Sequence, residues 1–217
     1  MVKRAEIKYP ADPFQYYVEP RFSNEQLFDN MDFGGSLIWD PSCGKGTILD
    51  VAKERGYQTI GSDVVDRHPR HRFFRANYLT QTRFPKPEDR PLSIVCNPPY
   101  GTVEGVRYMA NRFVKKTLAE VDFYRAAFLV PIEFNCGQER FAEIYEKRPP
   151  SHVLFCCQRP SMPPGVELEA RGEEARGGGM ADYCWIVWTR GGPYRTEAIY
   201  MRPQADDGPP QDRRKRN

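Results

Sequence analysis

The residues of this chain best suited to chemistry are Asn97, Pro98, Pro99 and Tyr100. Consecutive prolines have fixed φ and no backbone N–H, so the chain passes through them rigidly. A side-chain amide oxygen and a nearby backbone carbonyl can accept both hydrogens of a planar NH2 group, while a phenol ring stacks on the flat system carrying it. Asn97, the Pro98 carbonyl and the Tyr100 ring thus make a site for an amine on an aromatic base or on another planar amide. The plainer reading of the same tetrapeptide is a turn that caps a strand.

A second group is Asp40, Pro41, Ser42, Cys43, Gly44 and Gly46, with Asp63 following at about the 20-residue distance of a nucleotide-binding βαβ unit. Glycines let the backbone approach a ligand, and a carboxylate on the second strand accepts hydrogen bonds from ribose hydroxyls. The spacing is G-x-G without a third glycine, a poor match to a dinucleotide pyrophosphate site. Asp40 would repel phosphate but attract an ammonium group. The pair therefore favours a nucleoside joined to an amino acid over NAD. Without a ligand, the glycines are a tight turn and Asp63 a surface strand end.

These residues need strands behind them. Ser36 to Asp40, Gln58 to Ser62 and Pro91 to Cys96 are short apolar or β-branched runs with turn signals after them, and each delivers one of the groups above at its carboxyl end. Thr47 to Arg55 has helical spacing and stops at Gly56. Ser23 or Asn24 can cap a short helix carrying Leu27 and Phe28. Val103 to Glu120 reads as a long amphipathic helix, Arg125 to Val130 as a core strand, Ile132 to Cys136 as a loop and Gln138 to Glu146 as a helix. Strands follow at Ser151 to Cys157, Tyr183 to Trp188 and Arg195 to Met201. Gln158 to Ala181, between the first two, is predicted to be a long connection rich in Pro, Gly, Glu and Arg.

The 217 residues suit one domain over 1–202, followed by a disordered tail over 203–217 that ends in Arg213 to Arg216. A net charge of +3 permits a nucleic-acid partner without demanding one. No apolar run approaches the roughly 20 residues that span a bilayer, so no membrane association is expected. Met1 to Lys8 lacks an apolar signal core. The six cysteines include no C-x-x-C pair, and Cys156 and Cys157 are adjacent, which predicts reduced cytoplasmic thiols with neither zinc nor disulfides. Oligomeric state leaves no mark on the sequence.

In this order, Asp40 to Gly46 and Asn97 to Tyr100 resemble the class I S-adenosylmethionine-dependent methyltransferases, in particular the amino-methylating branch with its phage and bacterial N6-adenine DNA enzymes. The resemblance covers roughly residues 14–200 and implies a Rossmann-like α/β fold: a mostly parallel seven-stranded sheet with an antiparallel edge and helices on both faces. It implies S-adenosylmethionine as cofactor. Tyr17 to Pro20 resembles the family's Tyr-x-Thr-Pro element beside the methionine part, with Glu19 in place of threonine. Cofactor contacts are implied for Tyr17, Pro20, Asp40, Pro41, Ser42, Cys43, Gly44, Gly46, Asp63, Val64, Asn77, Tyr78 and Asn97. Asn97, Pro98, Pro99 and Tyr100 would act on the amine, and Tyr100, Phe134 and Arg159 would meet the substrate.

The implied substrate is adenine N6 in DNA, with RNA amines, the glutamine amide of a protein, or cofactor binding without catalysis as alternatives. Arg67, Arg70, Arg72 and Arg75 read either as phosphate contacts or as a solvated face. The 158–181 connection reads either as a mobile substrate loop, with Arg159, Met162, Arg171 and Arg176 facing nucleic acid, or as a passive flexible insertion.

Overall fold

The computed structural model describes residues 12, 14–103, 105, 107–177, 179, 181–192 and 195–204. Eight strands form one sheet: β1 (Leu37–Asp40), β2 (Gln58–Asp63), β3 (Arg72–Arg75), β4 (Leu92–Cys96), β5 (Arg125–Pro131), β6 (His152–Cys156), β7 (Tyr183–Thr189) and β8 (Glu197–Met201). Their spatial order is β3-β2-β1-β4-β5-β7-β6-β8. Every pairing is parallel except those that β7 makes with β5 and β6. The helices are α1 (Arg21–Asn30), α2 (Thr47–Glu54), α3 (Met109–Glu120), α4 (Gln138–Arg140, continued by a π turn to Tyr145) and α5 (Gly165–Arg171).

Strand alternation sorts the core into two layers. Trp39, Ile94, Phe128 and Ile186 pack with Met109, Phe113 and Val114 of α3. Ile38, Val95, Leu129 and Trp185 pack with Leu27 and Phe28 of α1 and with Ile48, Leu49 and Val51 of α2. Helices therefore cover both faces, as a mostly parallel sheet requires. At roughly 25 cal/mol per Å² of apolar area, these wholly buried strand residues dominate the stabilisation.

The sheet corrects the expected one in two respects. It has eight strands rather than seven, and its antiparallel strand is interior: β7 is inserted between β5 and β6, and β8 extends the edge by pairing parallel with β6. The additional strand is β3, whose Arg72 and Arg75 are exposed while Phe73 and Phe74 are half-buried. Charged ends of this kind suit an edge strand.

Helix boundaries also differ. α1 starts after Pro20, so Ser23 and Asn24 lie inside it, and the Ser23 hydroxyl donates back to the Pro20 carbonyl at 2.8 Å. α3 starts only at Met109, because Tyr108 before it has a left-handed φ of 58° that breaks the helical path. The 158–181 connection is not structureless, since it contains α5 and a 3-10 turn from Gly172 to Ala175. Of the 203–217 tail, Gln204 donates to Glu25 at 2.7 Å, and residues 205–217 lie outside the described residues. Gln26 likewise donates to the Arg202 carbonyl at 2.7 Å, tying α1 to the segment after β8.

Candidate cofactor and amine site

The carboxyl ends of β1, β2 and β4 deliver Asp40, Asp63 and Asn97 to the rim of one cavity of about 350 Å³, within the range for small-molecule sites. The turn after β1 is closed by Gly44 and Gly46 at φ values of +52° and +93°, a region that favours glycine. The Gly44 N–H donates to Asp63 at 3.0 Å, and the Ser42 N–H donates to Asp40 at 3.0 Å. Asp63 also accepts from the Val65 N–H at 3.1 Å and pairs with Arg67 at 3.3 Å.

The N-terminal segment forms the opposite wall. The Tyr16 ring lies so close to Gly44 that a Cβ there would meet it at 2.5 Å, and Gly165 abuts the same ring. The Arg67 guanidinium sits 4.0 Å above the Tyr16 ring, a cation–π contact. Burial raises the Tyr16 hydroxyl to about 12, partly opposed by Arg67. Tyr17 bridges to Pro164, and the Gly165 N–H donates to the Tyr16 carbonyl at 2.8 Å. Arg176 turns inward, donating to the carbonyls of Val18 and Ser161 at 2.8 Å each. The expectation that Arg176 faces nucleic acid is thus corrected: it holds the cavity wall.

Asn97 is oriented by three partners. Its Nδ2 donates to the Tyr17 carbonyl at 3.0 Å and to Glu19 Oε2 at 2.9 Å, and its Oδ1 accepts from the Tyr100 hydroxyl. The Ser42 hydroxyl donates to the Asn97 backbone carbonyl at 3.2 Å. Glu19 and Asp40 are 5% and 2% exposed, and burial pushes both carboxyls above their ordinary range, Asp40 strongly. Asp40 and Asp63 bring two largely buried carboxyl groups to the cavity, acceptors suited to a ligand with donor groups.

Of the residues expected to meet the cofactor, Tyr17, Asp40, Pro41, Ser42, Cys43, Gly44, Asp63, Val64, Asn77, Tyr78 and Asn97 line this cavity. Gly46 sets the turn from behind, and Pro20 starts α1 outside it. The Asn77 side-chain oxygen already accepts from the Leu79 N–H at 3.0 Å. Pro99 lines the cavity, whereas Pro98 and Tyr100 stand beyond it. The Tyr100 ring packs against Tyr183 at 5.9 Å, and its hydroxyl lies 3.8 Å from the Met162 sulfur.

None of the three residues expected at the substrate lines the cavity, Tyr100 standing beyond it. Phe134 is buried in the core with the Arg140 guanidinium 5.1 Å over its ring, and Arg159 is exposed and paired with Asp182 at 2.7 Å. Tyr16 was missed, and Arg67 and Arg176 were expected to face outward, because nothing local in the sequence marks their inward orientation. Among the described residues, no group of three or more His, Cys, Asp or Glu could hold a metal ion, and no helix is long and apolar enough to cross a membrane.

The strand order matches Rossmann-like methyltransferase folds, and solved structures share it. The chain is similar to a modification subunit assigned to a type I restriction enzyme from Vibrio vulnificus YJ016 (17% identity, TM-score 0.59), covering 89% of this chain and 48% of that one. It is similar to a protein described as an RNA methyltransferase from Pyrococcus horikoshii (15% identity, TM-score 0.57), covering 87% of this chain and 93% of that one. A type I restriction-modification methyltransferase subunit from Streptococcus thermophilus shares the fold at 13% identity and TM-score 0.51, covering 84% of this chain and 44% of that subunit. This chain thus spans about half the length of the two restriction-system subunits. No family model and no curated protein matches it.

Proposed function

We propose that this chain is an S-adenosylmethionine-dependent methyltransferase acting on the exocyclic N6 amine of adenine in DNA, working in the cytoplasm. The observation that carries the reading is that Asp40, Asp63 and Asn97 line one cavity, with Ser42 bonding the turn after β1 to the turn after β4. The residues fit the cofactor: Gly44 lines the cavity without a side chain, and the carboxyl groups of Asp40 and Asp63 can accept from an ammonium group and ribose hydroxyls. Asp63 would accept from the ribose, Asp40 and the glycine turn would face the amino-acid part, and Tyr78 and Val64 would flank the base. When bound, S-adenosylmethionine supplies an electrophilic methyl group.

The chain's own part is positional. Asn97 Oδ1 and the Pro98 carbonyl accept the two amine hydrogens, drawing the nitrogen lone pair out of conjugation. The Tyr100 ring stacks on the base, which leaves the duplex at a cost of a few kcal/mol. Tyr100 must then release Asn97 Oδ1, which its hydroxyl occupies. Orientation of this kind supplies several kcal/mol of the barrier and needs no strong base, because the nitrogen becomes acidic once alkylated.

Likeness to restriction-system modification subunits supports DNA as substrate, and likeness along 93% of the Pyrococcus horikoshii protein favours RNA as the second reading. A tritiated-methyl assay on DNA, RNA and protein decides. Label on adenine in DNA is the expected result. Label on RNA or on protein glutamine replaces the substrate, and no transfer despite cofactor binding leaves a binding module.

A further inference from the structure

We infer that Glu19 is a positioning residue that fixes the Asn97 side-chain amide with its oxygen outward, so that the site selects a substrate presenting N–H donors. The inference rests on the methyl-transfer reading and adds to it the residue that sets the polarity of the clamp. A primary amide is nearly symmetric in shape, so only its partners decide which end faces the substrate. Here both partners of Nδ2 accept: the Tyr17 carbonyl, and Glu19 Oε2 as a carboxylate. A flipped amide would set its oxygen against two other oxygens at about the present spacings of 3.0 and 2.9 Å.

Glu19 is itself held. Its Oε1 accepts from Asn24 Nδ2 at 3.0 Å, its backbone carbonyl accepts from Arg176 at 3.3 Å, and α1 begins two residues later. Both carboxylate oxygens are engaged by amide donors, so its role is to orient Asn97 rather than to take a proton from the substrate. The Tyr100 hydroxyl, donating to Asn97 Oδ1, stands where the substrate amine would donate.

The test compares Glu19→Gln with Glu19→Met in the full chain. Both remove the charge at similar volume, but only glutamine keeps an acceptor for Asn97. Its Nε2 can then donate to Asn24 Oδ1, which has no partner, if that amide turns over. The Asn97 side-chain NH2 signals are followed by 1H–15N NMR and hydrogen exchange, assigned by their loss in Asn97→Asp, beside kcat and the cofactor KM.

Glu19→Gln should keep the exchange protection of Asn97 and kcat near wild type. Glu19→Met should lose about tenfold in each, with cofactor KM unchanged, as for a hydrogen bond to a charged group. If Glu19→Met does not fold, Glu19→Thr, whose hydroxyl is too short to reach Asn97, is read in its place. Wild-type protection and kcat without an acceptor at position 19, or equal losses in both variants, overturn the proposal. A wild-type chain that binds no S-adenosylmethionine and transfers no methyl refutes the methyltransferase reading instead, while amide exchange still decides whether Glu19 orients Asn97.

Discussion

The Ser42 hydroxyl donates to the backbone carbonyl of Asn97 at 3.2 Å, which makes the turn after β1 and the turn after β4 one bonded unit. The same hydroxyl lies 3.1 Å from the Cys96 sulfur at the end of β4. Displacement of either turn is therefore felt by the other, so binding and transfer defects can be separated only by measuring both.

Asn97→Ala removes the amine acceptor and leaves the strand-tip acids in place. Turnover should fall by roughly 100-fold or more, the scale for losing one preorganised polar group at a reacting centre. Calorimetric affinity for S-adenosylmethionine should change little, and wild-type turnover would remove Asn97 from the reaction.

Asp63→Ala deletes the partner of Gly44, Val65 and Arg67 together. Cofactor affinity should drop by about 10-fold to 100-fold, as for a lost hydrogen bond to a charged group. Unchanged calorimetric affinity would place the ribose elsewhere.

Gly165→Ala puts a methyl group into the Tyr16 ring, and Gly44→Ala adds a left-handed φ of +52° to a similar clash. For Gly44→Ala the backbone alone costs about 1–2 kcal/mol. In a chain of this size that lowers Tm by a few degrees, at about 2–4 °C per kcal/mol. Thermal melts of Gly165→Ala with and without Tyr16→Ala should show strong non-additivity, the ring deletion recovering part of the loss. Additive losses would mean that Tyr16 does not seat against Gly165.

The buried carboxyl of Asp40 has a folded-state pKa well above its ordinary 3.8. A raised folded value means that the native state holds the proton more tightly than the unfolded chain. Stability from this group is therefore full below the unfolded value and is lost as pH rises through the folded one. Asp40→Asn, which still offers an oxygen to the Ser42 N–H, should raise Tm at pH 7. The gain should shrink as the pH is lowered toward 4, and cofactor affinity should fall throughout. Melts and calorimetry across that range check both signs.

The strands that deliver Asp40, Asp63 and Asn97 were legible because each is a short apolar run with a sharp turn after it, a pattern local in the chain. β3 was not, since Arg72-Phe73-Phe74-Arg75 within a basic stretch reads as a solvated face until β2 supplies its partner. The position of β7 escaped for a similar reason: a long connection tells that a strand returns, not which neighbours it enters between. α3 was drawn too long because hydrophobic spacing before Tyr108 says nothing of its positive φ. The Glu19–Asn97 bond joins residues 78 positions apart and has no local signal beyond an acid where the resembled family has threonine.

The ties from Gln26 to Arg202 and from Gln204 to Glu25 have a reach beyond the sheet edge. They make the short segment after β8 an anchor for the helix on which the Tyr17–Glu19 wall is hung. Removal of the chain from Arg202 onward, which leaves every strand whole, would slacken that helix and blunt ligand capture.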